Sequence, residues 1–260
     1  MKAISDLDRF EVFCWFFTFL AIFFLAGPVM ALFVSLKPAF FYQDAFDPEI
    51  WESLRLTLFS GFVSSIFGVL TGIPMAYVLS ISSRKVRTIV EPLIEIPIIL
   101  PPVIAGISLV CFLSPDFVVG NAFSRIGIHF ISSIYGIIAG MYFVGVPFIV
   151  KTSLAAFQEI DSRVVKTARC LGASGFRAFM TVILPLSAPQ VFTGFILMLG
   201  RSIGIFGTVV LIAYNPKTIP VLAYDRFLSS GMESAKTPAV ILVLLSFVFY
   251  AMRRLTIGGK

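Results

Sequence analysis

Residues 161–189 read DSRVVKTARCLGASGFRAFMTVILPLSAP. A basic, polar half gives way after Gly172 to an apolar half that carries Pro185 and Pro189. Asp161 is placed to cap a helix and Gly172 to end it. Between them Val164, Ala168 and Leu171 recur at i, i+4 and i+7, with Val165 beside them, while Arg163, Lys166 and Arg169 occupy another face. On periodicity alone this segment is a solvated basic helix, one that lies on a membrane surface, or one that docks in a partner's groove.

What surrounds it settles the setting. The 260 residues are 58% hydrophobic and 13% charged, with a mean hydropathy of +0.98. A soluble domain carries about 25% charged residues, so the apolar excess has to face lipid. Six runs are candidate spans: 12–36, 56–81, 89–113, 131–150, 188–213 and 238–252. The last is short and is expected to extend toward Ser234 and Arg254, with Lys236 and Arg253 reaching for the headgroups. The first is too long for a cleavable signal and reads as a retained helix. These runs define an all-α, polytopic membrane protein of six transmembrane helices.

Orientation follows from the cations. Lys2, Arg9, Arg84, Lys85, Arg87, Lys151, Arg163, Lys166, Arg169, Arg177, Arg253, Arg254 and Lys260 fall on one side; Lys37, Arg125, Lys217, Arg226 and Lys236 fall on the other. Both termini are therefore expected in the cytoplasm, the 151–187 loop with them, and the acidic stretch Asp44, Asp47, Glu49 and Glu52 outside. The net charge of +6 belongs to this pattern, not to a nucleic-acid surface.

Several chemistries drop out. A single histidine, His129, excludes a multi-histidine metal site, and no phosphate-binding P-loop occurs. Cys14, Cys111 and Cys170 show no paired spacing and are expected to be small buried hydrophobes. An intramembrane enzyme would need titratable groups deep in the spans, where only Glu91, Glu95 and Arg201 stand. The steps Gly68–Gly72, Gly136–Gly140 and Gly200–Gly204 predict close helix packing. Pro92, Pro97, Pro101 and Pro102 predict a kink or break that packs inward, beside a pathway or within the bundle.

The stretch Lys166–Ser174, continuing through Phe179 to Leu184-Pro185-Leu186 and Pro189, resembles the "EAA" loop of ABC importer permeases: E-A-A-x-x-x-G-A-S, then F, then L-P-x-x-x-P. Ala168, Gly172, Ala173, Ser174, Pro185 and Pro189 keep the pattern; Lys166 and Thr167 replace its leading Glu and first Ala. Ile96 to Ile107 is similar to the L-P-x-x-x-P-P-x-x-A-G-I signature of the sulfate/molybdate/tungstate branch. The stretch Phe206–Pro220, with Tyr224 to Phe227, is similar to its molybdate/tungstate members. Where relatives read A-R-x-x-x-E-F-G, this chain has Gly200, Arg201, then Ile205 in place of the carboxylate.

The resemblance implies a type I ABC importer transmembrane domain over 49–254. Residues 1–48 would form a tail, first helix and external loop, and 255–260 a C-terminal tail with no regulatory domain. It implies a permease for an oxyanion, molybdate or tungstate, in a prokaryotic plasma membrane. Its partners would be a second copy, lipid, an extracytoplasmic solute-binding protein and a cytosolic ATPase that binds the ATP, leaving this chain without a cofactor. Sulfate, a polyamine or an iron complex are alternative solutes, and a channel working without ATP an alternative class. Val164, Ala168, Arg169, Leu171, Gly172, Ala173 and Ser174 would couple to the ATPase. Arg201, a cation deep in a span, is a pathway candidate, unless it bonds buried carbonyls or pairs with Glu95. Pro101, Pro102 and Phe206 complete the candidate pathway, Phe206 as a gate.

Overall fold

Helix α3 (Pro48–Ile81) explains how the bundle closes. Its inward face is made almost wholly of small residues: Ser53, Thr57, Ser60, Gly61, Ser64, Ser65, Gly68, Gly72 and Ala76 are all buried. Without a hydrophobic force between helices in lipid, close backbone approach is what holds a bundle together. The stripe lets α7 (Ile134–Glu159) and α10 (Leu184–Ile203) lie against α3. Gly68 sits flush on Met198, and a Cβ at Gly72 would stand 2.9 Å from Ile149. Thr57 and Ser65 return their hydroxyls to the carbonyls of Ser53 and Gly61, at 2.6 and 2.7 Å.

The protein is described by a computed structural model that covers residues 9–257; Lys2 and Lys260 lie outside the described residues. In chain order the remaining helices are α1 (Arg9–Val34), α2 (Pro38–Ala45), α4 (Arg84–Ile99), α5 (Pro102–Leu113), α6 (Val118–Arg125), α8 (Ser162–Cys170), α9 (Gly175–Ala178), α11 (Val209–Ile212), α12 (Ile219–Ser230) and α13 (Met232–Ile257). Among the described residues there is no strand. Five helices are long and apolar enough to span a membrane: α1, α3, α7, the continuous run Gly175–Ile203, and α13. The α4–α5 pair, counted as one bent span, makes six.

Two expected spans are broken. Residues 89–113 form α4 and α5, which meet at 111°. Pro101 and Pro102 supply no N–H, and a proline pushes the residue before it out of the helical region, which leaves Leu100 extended at ψ 134. The expected run 188–213 stops at Ile203, and Gly204–Thr208 is non-helical before the single turn of α11. At the other end of that span, Phe179–Ile183 widens into a π-helical turn. Pro185 cannot donate to Thr181 and would crowd its carbonyl, and the wider turn makes room.

An outer core packs Leu109, Met141, Val144, Ile205, Val209 and Ile212; an inner one packs Ala76, Leu79, Val150, Leu154, Phe157 and Ile183. Helix α1 stands apart from both: none of its span is buried. Three expectations are corrected here. Cys14, Cys111 and Cys170 are exposed on the protein surface, because the chain has far more apolar side chains than its interior can hold. Lys236 does not reach outward: it is 8% exposed and donates to the Ser35 carbonyl at 2.9 Å and to Glu233 at 2.8 Å, tying α13 to the end of α1. The Arg253 side chain is outside the described set. Gly200–Gly204 is no packing seam, since a Cβ at either position meets nothing nearer than 3.7 Å.

Candidate transport pathway and coupling surface

The two broken spans meet. Thr208, in the gap after α10, donates its hydroxyl to the Pro102 carbonyl at 2.9 Å. A Cβ on Gly207 would stand 2.8 Å from Pro102 Cβ, and one on Gly106 would stand 3.0 Å from the Thr208 carbonyl. The first turn of α5 therefore lies directly on Gly207 and Thr208. This joint sits at membrane depth: Ser202, just before the gap, donates to the Met141 carbonyl at 3.1 Å, about two turns or 11 Å inside the N-terminal end of the spanning helix α7. Irregular backbone at that depth is tolerated where it is packed in protein or lines a wet cavity, and paired broken helices are how many transporters build a site near the midplane.

Arg201 leaves α10 about 100° around the helix from the buried Ser202. It is exposed, and among the described residues it has no hydrogen bond or ion pair. The expected alternative of a pair with Glu95 is overturned: Glu95 accepts instead from Lys151 at 2.6 Å, joining α4 to α7 in the inner half of the bundle. Ile205, where relatives were expected to carry a carboxylate, is 1% exposed among Leu109, Met141 and Val209. The break at Gly204 turns the chain inward, so a carboxylate there would be buried in an apolar cluster. Pro101 and Pro102 lie at the surface beside the joint. Phe206 is not a free flap; half-buried, its ring packs on Tyr224 with centroids 4.8 Å apart.

Tyr224 stands beside a charged cluster, at the end of the bundle away from α8, that sequence reading noted only as an acidic stretch. Arg226 of α12 bonds Asp47 and reaches Glu49 at 3.1 Å and Asp44 at 3.9 Å. Lys217 donates to Asp225 at 2.7 Å and to Glu49 at 3.2 Å, and the Tyr214 hydroxyl also bonds Asp225. The cluster staples α12 to the start of α3, where Asp47 caps the helix through the Glu49 amide at 2.9 Å. Beneath it the Ile219 amide donates to Thr57 at 2.9 Å.

Hydrogen bonds from Lys217 and then Tyr214 hold the Asp225 carboxyl below its ordinary value. Burial would raise Asp47, but the Glu49 amide and Arg226 together outweigh it and lower it. Lys217 is raised by Asp225 against the effect of burial. The lowered acids contribute stability above their ordinary value of about 4, lost as pH falls through the folded values; the raised lysine contributes below about 10.4, lost as pH rises through its folded value. Thermal unfolding is expected to be level between roughly pH 5 and 9 and to fall in acid below about 4, with Asp225→Asn blunting the acid fall. An acid limb of unchanged size in that variant would place the sensitivity elsewhere.

On the opposite face, α8 forms as its sequence requires. Asp161 caps it through the Arg163 amide at 2.8 Å. At the other end Gly172 takes φ +87, with its amide on the Arg169 carbonyl and the Ala173 amide on the Ala168 carbonyl, at 3.0 and 3.1 Å. This pair of bonds is a Schellman closure, which needs a left-handed residue at that point. Ser174 then caps α9 through the Arg177 amide at 3.2 Å. The residues assigned to coupling thus divide. Val164 and Leu171 are 45% and 84% exposed, two apolar side chains presented at the surface. Ala168 and Ala173 are half-buried toward the bundle, beside Val165, which packs on the inner core. Gly172 and Ser174 shape the turn, and Arg169 points to a cavity between α8 and the bundle.

Solved structures share this architecture. A bacterial alginate ABC transporter, in complex with an alginate pentasaccharide-bound periplasmic protein, superposes with a TM-score of 0.76 at 21% identity, over 98% of this chain and 99% of that one. The MetNI methionine ABC transporter in an inward-facing conformation gives 0.65 at 20%, over 82% and 99%. The fold, with its broken spans and its presented α8, is that of a type I ABC importer transmembrane domain. Residues 68–256 match the family model described as binding-protein-dependent transport system inner membrane component, and the chain belongs to that family. It is thus a multi-pass inner-membrane permease subunit. It is 33% identical over 257 residues to the molybdate/tungstate transport system permease protein WtpB of Pyrococcus furiosus, covering 97% of this chain and 98% of that one. To the sulfate transport system permease protein CysT of Escherichia coli it is 31% identical over 191 residues, 72% of this chain and 69% of the other.

Proposed function

We propose that this chain forms the membrane pathway of an ATP-driven importer for molybdate or tungstate, as a homodimer with both termini in the cytoplasm. A separate ATPase subunit hydrolyses ATP, and an extracytoplasmic binding protein delivers the solute. The end-to-end likeness to a molybdate/tungstate permease carries the substrate reading. Two features support the dimer. Helix α1 buries none of its span in its own chain. Arg201 stands at membrane depth with no partner of its own among the described residues, where a charge is costly unless it faces a polar interior. A second copy that encloses Arg201 would turn it toward a central pathway, where a cation attracts an oxyanion. Coupling works as a population shift: ATP-bound and ATP-free partners contact Val164 and Leu171 differently and so favour different arrangements of the bundle.

The test is ATPase activity of the reconstituted complex with its ATPase and binding protein, titrated with tungstate, molybdate and sulfate. Stimulation by low tungstate or molybdate, lost in Arg201→Ala with assembly intact, is the expected result. Stimulation by sulfate alone would move the substrate to that of the CysT-like relatives. Full stimulation in Arg201→Ala would remove Arg201 from the pathway.

A further inference from the structure

Between α8 and the bundle lies a cavity of about 670 Å³, bounded by the inner end of α3, the start of α4 and the end of α7. Three cations line it: the half-buried Arg87 from α4, and Lys166 and Arg169 of α8, whose side chains are exposed at its rim. No carboxylate lines it, and among the described residues none of the three cations is in an ion pair. Arg87 Nε is fully buried and has no hydrogen-bond partner. Ser80 and Gln158 add polar groups to the wall, and Phe157 and Val165 give it an apolar side. Buried donors are ordinarily satisfied, and like charges converging on a common space repel unless a counter-charge sits between them. Guanidinium and ammonium groups together suit a tetrahedral oxyanion, which offers several acceptor oxygens.

We propose that this cavity binds a phosphate-type oxyanion that locks α8 to α4. The apolar side and the position at the cytosolic membrane surface suit the phosphodiester of an anionic lipid, and basic pockets of this kind hold lipid headgroups; free inorganic phosphate offers the same chemistry. The consequence is mechanical. Arg87 begins the helix that runs to the Pro101–Pro102 break, while Lys166 and Arg169 stand on the helix that presents Val164 and Leu171. An anion held by all three makes these two elements move together. The proposal takes from the functional reading the side of the membrane on which α8 lies and the ATPase partner present in its test.

The experiment measures thermal unfolding of the full-length chain with its ATPase partner in nanodiscs, so it stands or falls independently of any transport result. Three conditions are compared: phosphatidylcholine alone, phosphatidylcholine with phosphatidylglycerol, and phosphatidylcholine with added inorganic phosphate. A ligand that binds only the folded state raises the midpoint by mass action. The expected rise is about 3 °C or more, lost in Arg87→Gln, Lys166→Gln, Arg169→Gln together and reduced by Arg87→Gln alone. The condition that gives the rise identifies the source of the anion. Should the triple variant fail to assemble, Arg87→Gln decides, because it lies outside the coupling loop. No rise in the unaltered complex, or an equal rise in the variants, overturns the proposal.

Discussion

Gly207→Ala is expected to cut solute uptake tenfold or more while leaving the complex assembled. The added methyl would stand 2.8 Å from Pro102 Cβ and 3.4 Å from the Pro102 carbonyl carbon and the Val103 nitrogen. These atoms belong to a ring and to backbone, so none can swing aside as a long side chain does. The joint is equally tight from the other side, where Gly106 lies against the Thr208 carbonyl and Leu211. The two broken spans must therefore separate by several tenths of an ångström, stretching the Thr208–Pro102 hydrogen bond. Overpacking of this kind costs about 1–3 kcal/mol, and a 1.4 kcal/mol bias between conformers shifts their ratio tenfold. Uptake into proteoliposomes, with ATPase activity measured in parallel, reads the effect. Gly200→Ala is the control: it also adds a methyl to this span, but only Phe249 lies within reach, at 3.8 Å. If both variants transport within about twofold of the unaltered protein, the joint is packing and not part of the pathway.

Gly172→Val is expected to abolish stimulation of the partner ATPase by solute. Nothing lies within 4 Å of a Cβ at Gly172, so the effect is wholly conformational. At φ +87 the residue is in the left-handed region, which a β-branched side chain reaches at a cost of about 1–2 kcal/mol. Helix α8 buries none of its residues, so it has little packing with which to resist. Relaxing Gly172 opens the bonds to Arg169 and Ala168 and turns Leu171 away from Val164. Gly172→Asn separates backbone from side-chain bulk, because asparagine tolerates this conformation. It should keep most of the stimulation that valine loses. Equal loss in both would point to a contact made by the glycine itself, and equal retention would dissociate the shape of this turn from coupling.

The membrane class, the number of spans and the capped helix α8 were legible in the sequence because each rests on local chemistry. Apolar runs of spanning length, proline's missing donor, Asp161 at one end of a helix and Gly172 at the other act over a few residues and need no distant neighbour. The breaks were legible to the extent that prolines announce them: Leu100–Pro102 was marked, whereas the gap at Gly204–Thr208 carries no proline and read as continuous span. Packing was legible only where glycine made it plain. The step Gly68–Gly72 is part of a longer seam in which Ser53, Thr57, Ser60, Ser64 and Ala76 do the same work, and small polar residues in an apolar run do not declare which way they face.

Contacts between distant segments were decided by tertiary structure alone. Glu95 could have met Arg201 or Lys151, and only the crossing of α4 with α7 selects Lys151. Arg226 finds Asp47 and Glu49, and Thr208 finds Pro102, from far along the chain. Whether Arg169 points outward with Leu171 or inward to the cavity with Arg87 depends on how α8 is rolled against the bundle. Sequence determined which residues could serve in a pathway and a coupling surface, since helix, break and cap arise from each residue's own backbone and its near neighbours. Which of them face one another was left to the packing, because a charge or hydroxyl in a membrane bundle takes the partner that the helix crossings bring within reach.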